Sequence, residues 1–113
     1  MRRTPFKRKY NKFRAQKTRI DGILFDSKLE ATRYQELKLL EAAGEISEFE
    51  IQVPYSLIVH DRQVCVIIPD FRYKEGAKEV IEDAKGVITD LFRIKWKLMQ
   101  ILYPDYEYRI YKR

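Results

Sequence analysis

Apolar positions recur along this chain with two different periods, and the switches between them mark its elements. Ile20, Ile23 and Phe25 flank Asp21-Gly22, a pair suited to the two positive φ angles of a type I′ turn, so residues 18–25 predict a small hairpin. The period then lengthens to that of a helix over residues 27–43. Ser27-Lys28-Leu29-Glu30 has the form of a capping box, Gly44 stops the helix after Ala42-Ala43, and Leu29, Tyr34, Leu37 and Leu40 make an apolar stripe. Glu30 falls on the inward side of that stripe, one turn before Tyr34.

Residues 46–60 have an extended pattern broken at Pro54, and Asp61-Arg62-Gln63 turns the chain back into residues 64–74 as a second hairpin. In Val64-Cys65-Val66-Ile67-Ile68 both parities are apolar, which predicts a strand covered on both faces and central in the sheet. Pro69-Asp70 closes that run. Glu75-Gly76-Ala77 is short enough to make the next strand, 78–86, an antiparallel neighbour, which brings Asp70 within reach of Asp83. Thr89 or Asp90 caps a helix to about residue 102, with Leu91, Lys95, Leu98 and Leu102 on one stripe and Pro104 beyond its end. Tyr106 to Tyr111 alternates as a last strand. A helix between strands 78–86 and 106–111 is a crossover, so those two strands run parallel. The pattern as a whole predicts an α/β fold, a mixed sheet with a helix on each side.

At 113 residues and 45% apolar composition the chain supports one core, read here as a basic arm over residues 1–17 and a single domain over residues 18–113. Charge sharpens that division. Nine of the 23 Lys and Arg fall within residues 1–19 with no acid among them, leaving 14 against 17 acidic residues, a charge of −3 in a chain that is +6 overall. Arg2, Arg3, Lys7, Arg8, Lys9, Lys12, Arg14 and Lys17 interleave with Phe6, Tyr10 and Phe13. That suits a polyanion, with cations on phosphates and rings free to stack on bases. The same composition fits a solubilising leader, and it does not separate DNA from RNA. No apolar stretch reaches the length of a membrane span and no secretory leader is seen, so a reducing cytoplasm is expected. Cys65, alone and inside an apolar run, is expected in the core.

A carboxylate two residues before a lysine occurs three times, at Asp26-Ser27-Lys28, Glu36-Leu37-Lys38 and Asp83-Ala84-Lys85. The first two fall on a predicted helix, where residues two apart diverge by about 200°. Only the third lies on a strand, where Asp83 and Lys85 share a face with Cβ atoms about 7 Å apart. One could hold a cation while the other reaches a phosphate, the combination that metal-assisted phosphodiester cleavage needs. A solvated strand face with a salt link would look the same. Glu82 falls on the opposite face from Lys85. Glu30 either bonds back to the Ser27 amide as part of the capping box or serves as an acid at the site. Lys95 either snorkels outward or approaches the phosphate.

Taken in order, Asp70, Asp83-x-Lys85 and the helical glutamate of Ser27-Lys28-Leu29-Glu30-Ala31 resemble the PD-(D/E)xK nuclease superfamily. The segments Ile20-Asp21-Gly22-Ile23-Leu24-Phe25-Asp26-Ser27-Lys28-Leu29-Glu30-Ala31 and Val80-Ile81-Glu82-Asp83-Ala84-Lys85-Gly86 are similar to a group of small phage and prophage proteins placed with Holliday-junction-resolvase-type nucleases. Pro69-Asp70 keeps the proline that names the superfamily, and Asp stands at 83 where Glu is commoner. The resemblance implies a restriction-endonuclease-like fold and an Mg2+ or Mn2+ ion held by Asp70 and Asp83, with Glu30 as a further metal-side acid. Lys85 would orient water or the phosphate. It also implies an endonuclease acting on DNA, selective for branched structure, working as a homodimer alongside phage recombination or packaging proteins. A different class also fits the residues: a nucleic-acid-binding accessory protein that uses the arm and keeps the acids for structure.

The other chemistry-bearing residues point away from common alternatives. His60, the single histidine, sits beside Asp61 at a predicted turn with no cysteine cluster, against a zinc site or Cys-His catalysis. No glycine-rich phosphate loop is present, so ATP use is not expected. Trp96 and the tyrosines between 103 and 111 fit a core or an interface better than base recognition.

Overall fold

Asp21 and Gly22 both take positive φ, 55° and 76°, and join β1 (Thr18–Ile20) to β2 (Ile23–Phe25) in the predicted hairpin. The computed structural model describes residues 16–112. α1 (Lys28–Ala42) opens on Ser27, whose Oγ accepts from the Glu30 N–H at 3.1 Å. It closes on Gly44 at φ 80°, with the Glu45 N–H returned to the Leu40 carbonyl.

β3 (Ser47–Ile51), β6 (Phe71–Glu75), β7 (Lys78–Ala84) and β8 (Glu107–Tyr111) form one sheet in the order β3-β6-β7-β8. The first two pairings are antiparallel and the last is parallel, joined through α2 (Asp90–Leu102), so the sheet is mixed as the pattern predicts. β4 (Tyr55–Val59) and β5 (Arg62–Ile67) pair only with each other, as a ribbon between β3 and β6 in the chain.

Burial along β7 shows how the layers stack. Val80 and Ile81 are adjacent, hence on opposite faces, and both are fully buried. Val80 packs with Phe71, Tyr73 and the α1 residues Tyr34 and Leu37. Ile81 packs with Trp96 and Met99 of α2 and with Tyr55, Leu57 and Ile67 of the ribbon. Thus α1 covers one face of the sheet, while α2 and the ribbon lie on the other.

Two expectations are corrected. The run 64–74 is not one strand: it breaks at Pro69-Asp70, and the hairpin turns at His60-Asp61, where both residues take positive φ, 50° and 63°. Nor is Val64–Ile68 central. Cys65 and Ile67 face the core, but Val64, Val66 and Ile68 are exposed on the outer face of the ribbon. The central strands are β6 and β7. An apolar run on both parities means that both faces seek apolar contact, and here none of the described residues covers one of those faces.

Candidate active site

The antiparallel register of β6 and β7 sets Phe71 against Glu82, so the next step outward sets Asp70 against Asp83. There the backbone ladder gives way to side chains. The Asp70 N–H donates to Asp83 Oδ1 at 2.9 Å, and the Ala84 N–H donates to Asp70 Oδ2 at 2.9 Å. Each carboxylate therefore replaces a carbonyl acceptor that the ladder would have supplied, and each is held to within a rotamer by doing so. The Asp70 carbonyl in turn accepts from the Gln52 N–H at 3.0 Å.

Lys85 continues the Asp83 face. Its Nζ lies 3.2 Å from Asp83 Oδ2 and 4.4 Å above the centre of the Phe92 ring, while its backbone N–H is fixed on the Tyr111 carbonyl at 3.0 Å. The ammonium is thus backed by α2 on one side and left partly open on the other. Glu82, one residue earlier, points to the opposite face, as strand alternation requires. There Arg33 grips it in a fork, Nε to Oε2 at 2.6 Å and Nη2 to Oε1 at 3.1 Å, and the Tyr73 hydroxyl donates to Oε1 at 2.6 Å. Arg33 also stacks over the Tyr111 ring at 4.6 Å.

That fork matters to the site because Arg33 stands one turn after Glu30 on α1. The clamp fixes the helix against β7, and Glu30 is buried at the sheet end with its carboxyl in hydrogen-bonding reach of Asp70 and the Gln52 side chain. Of the two roles open for Glu30, the carboxyl takes the one facing the acids, while its backbone N–H alone serves the Ser27 cap.

Three carboxylates now face one ammonium. Burial pushes the Asp70 carboxyl up to about 9, with the charges of Asp83 and Glu30 adding to the rise and the Ala84 N–H and Lys85 opposing it. Burial likewise raises Glu30, helped by Asp26 and Asp83 and opposed by its bonds to Asp70 and Gln52. A divalent cation would supply the positive charge that such a cluster lacks. The donors are carboxylate and amide oxygens, which fits a hard ion. Among the described residues no three acidic, His or Cys side chains close into a ready cage.

Gln52 was not legible as a site residue. It follows β3 in a left-handed conformation, φ 53°, and reaches Asp70 only because β3 pairs with β6. Its local sequence, ahead of Val53-Pro54, marks a strand end and nothing more.

The family model described as "Protein of unknown function (DUF1064)" matches residues 10–113. The chain belongs to the DUF1064 family. No curated protein matches it. The DUF1064 region takes in Glu30, Gln52, Asp70, Asp83 and Lys85, so the whole cluster lies within the part that defines the family. Lys95 of this DUF1064 chain is not brought to the carboxylates: its ammonium donates to the Val66 carbonyl at 3.2 Å, tying α2 to the ribbon. Among the arm cations, Lys17 is exposed, and Arg2, Arg3, Lys7, Arg8, Lys9, Lys12 and Arg14 lie outside the described residues. Among the described residues no helix is long and apolar enough to cross a membrane.

Proposed function

We propose that this protein is a metal-dependent DNA endonuclease of the PD-(D/E)xK kind, with its α/β sheet acting as a restriction-endonuclease-like core. The observation that carries the reading is the reciprocal pairing of Asp70 and Asp83 at the end of two strands with the Lys85 ammonium 3.2 Å from the second acid. A bound Mg2+ or Mn2+ would supply Lewis acidity and an activated water.

The chain's own residues do the rest. Asp70 and Asp83 would supply the charge that receives the cation, and their bonds to backbone amides fix one oxygen of each. Glu30 gives a third acid from the other side of the sheet end, oriented by Gln52. Lys85, pressed on Phe92, presents its ammonium to a non-bridging phosphate oxygen or to the attacking water. The basic arm would track the phosphate backbone, favouring duplex or branched DNA, with phage recombination, replication or packaging as the setting.

The test is cleavage of labelled four-way-junction, flap and linear duplex DNA with Mg2+ or Mn2+ against EDTA. Metal-dependent cutting is expected in the wild type, with a loss of at least about 100-fold in Asp83→Ala and Lys85→Ala and DNA binding retained. Binding without cutting in every condition would transfer the function to the arm alone and make this an accessory protein.

A further inference from the structure

The outer face of α2 and the ribbon is apolar where a monomer's surface would be polar. Leu91, Ile94 and Ile101 are 62, 66 and 65% exposed, and with half-buried Leu98 they recur at a 3-4 spacing along one flank of the helix. That flank is distinct from the buried side carrying Trp96 and Met99. Beside it, the outward residues of β5 and the step after it, Val64, Val66 and Ile68, are 59, 37 and 55% exposed. The Lys95–Val66 bond fastens the helix and the strand side by side, so the two apolar rows share one face of the molecule.

We infer that this face is where a second copy of the chain docks, α2 against α2 across a two-fold axis with the ribbons alongside. Area supports this occupant. The six exposed residues, from 37 to 66% exposed, present on the order of 600 Å² per protomer, at the top of the ~300–600 Å² of the largest apolar patch on a typical monomer and approaching the ~800 Å² per partner of a standard interface. Spacing supports it as well. Apolar residues at alternating steps of three and four are what one helix offers another in a knobs-into-holes seam, and a two-fold axis brings the same helix as partner. The one cation between the two rows, Lys95, has its ammonium on the Val66 carbonyl, and Arg62 and Lys97 are exposed on the same two elements, which suits an interface with an apolar core and a polar rim.

The patch also adjoins the site, since Ile68 precedes Pro69-Asp70 and exposed Val87 follows Lys85 by two residues. A dimer formed here holds two acidic clusters at a fixed separation.

This inference does not rest on nuclease activity, and its test uses neither DNA nor metal. Sedimentation velocity of the full chain from about 1 to about 100 µM, a range that brackets micromolar association, is expected to give a dimer. The double variant Ile94→Glu, Ile101→Glu is expected to be monomeric throughout with the wild-type circular dichroism and Tm, because both side chains are exposed. A second pair on the strand, Val64→Lys with Val66→Lys, should weaken the dimer at least tenfold. A monomeric wild type at the highest concentration overturns the inference, as does a dimer that survives both sets of substitutions. A monomer that co-sediments with anionic phospholipid vesicles also overturns it, and assigns the face to a membrane surface.

Discussion

In the protein without metal, Asp70 keeps its proton far above the usual carboxylate range, because burial and two neighbouring acids oppose its charge. Its folded pKa of about 9 exceeds the ordinary 3.8, so the folded state holds a proton that the unfolded state releases across that window. The stabilisation is complete below the lower value and lost as pH rises through the higher one. With EDTA present, Tm should therefore fall as pH is raised from 5 to 9, and the fall should be much smaller in Asp70→Asn. Added Mn2+ should reverse the trend, since binding displaces protons and strengthens with pH. Equal pH dependence in wild type and Asp70→Asn, scanned with and without chelator, would contradict this account. Asp70, Asp83 and Lys85 were visible in the sequence because strand periodicity and a short turn dictate who faces whom. Gln52 was not, because its role depends on β3 pairing with β6 across an intervening ribbon, and no local pattern encodes that.

At the scale of elements, the Arg33–Glu82 fork is the tie that sets α1 on the sheet. Glu82 is almost wholly inaccessible and Arg33 largely so, so removing one partner leaves an uncompensated buried charge. Arg33→Met is expected to cost about 3–5 kcal/mol in urea unfolding, and Arg33→Met with Glu82→Leu to recover most of that. Because Glu30 is one turn from Arg33, the single variant should also weaken metal binding, which calorimetry with Mn2+ would read. The sequence showed Glu82 only as a residue on the wrong face to accompany Lys85. Its partner could not be found, since a buried ion pair between a helix and a strand 49 residues apart leaves no periodic trace. The hairpins and helices, whose caps and turns are local, came through in the sequence. The placement of β5 did not: Val64–Ile68 looks like a central strand because both its faces are apolar, and chain pattern cannot distinguish a face covered by its own fold from one left bare.

Across the whole molecule, the net positive charge falls within residues 1–19, while residues 20–113 carry 14 Lys and Arg against 17 acids. If the arm tracks phosphates, affinity should fall steeply with salt, and a chain lacking residues 1–17, which loses eight Lys and Arg, should show a much shallower slope. The expected change in the log–log slope is up to about 7, near 0.9 per neutralised phosphate. Fluorescence-anisotropy titrations of one duplex at several salt concentrations would measure it. An unchanged slope would place the DNA contacts on residues 18–113. Composition made this asymmetry visible at once, because charge, unlike pairing, needs no partner to be seen.

The reciprocal bonds between Asp70 and the β7 end have a consequence for how such a chain can change over time. The two acids serve as acceptors for backbone amides that would otherwise be stranded at the edge of the sheet. A lineage that no longer needed the chemistry would still meet a folding penalty on replacing either acid by an apolar residue. Asparagine is the exit least harmful to the fold, since its amide oxygen can accept the same N–H. Relatives in which the proposed chemistry has been lost should therefore carry Asn at these positions before they carry Ala or Val.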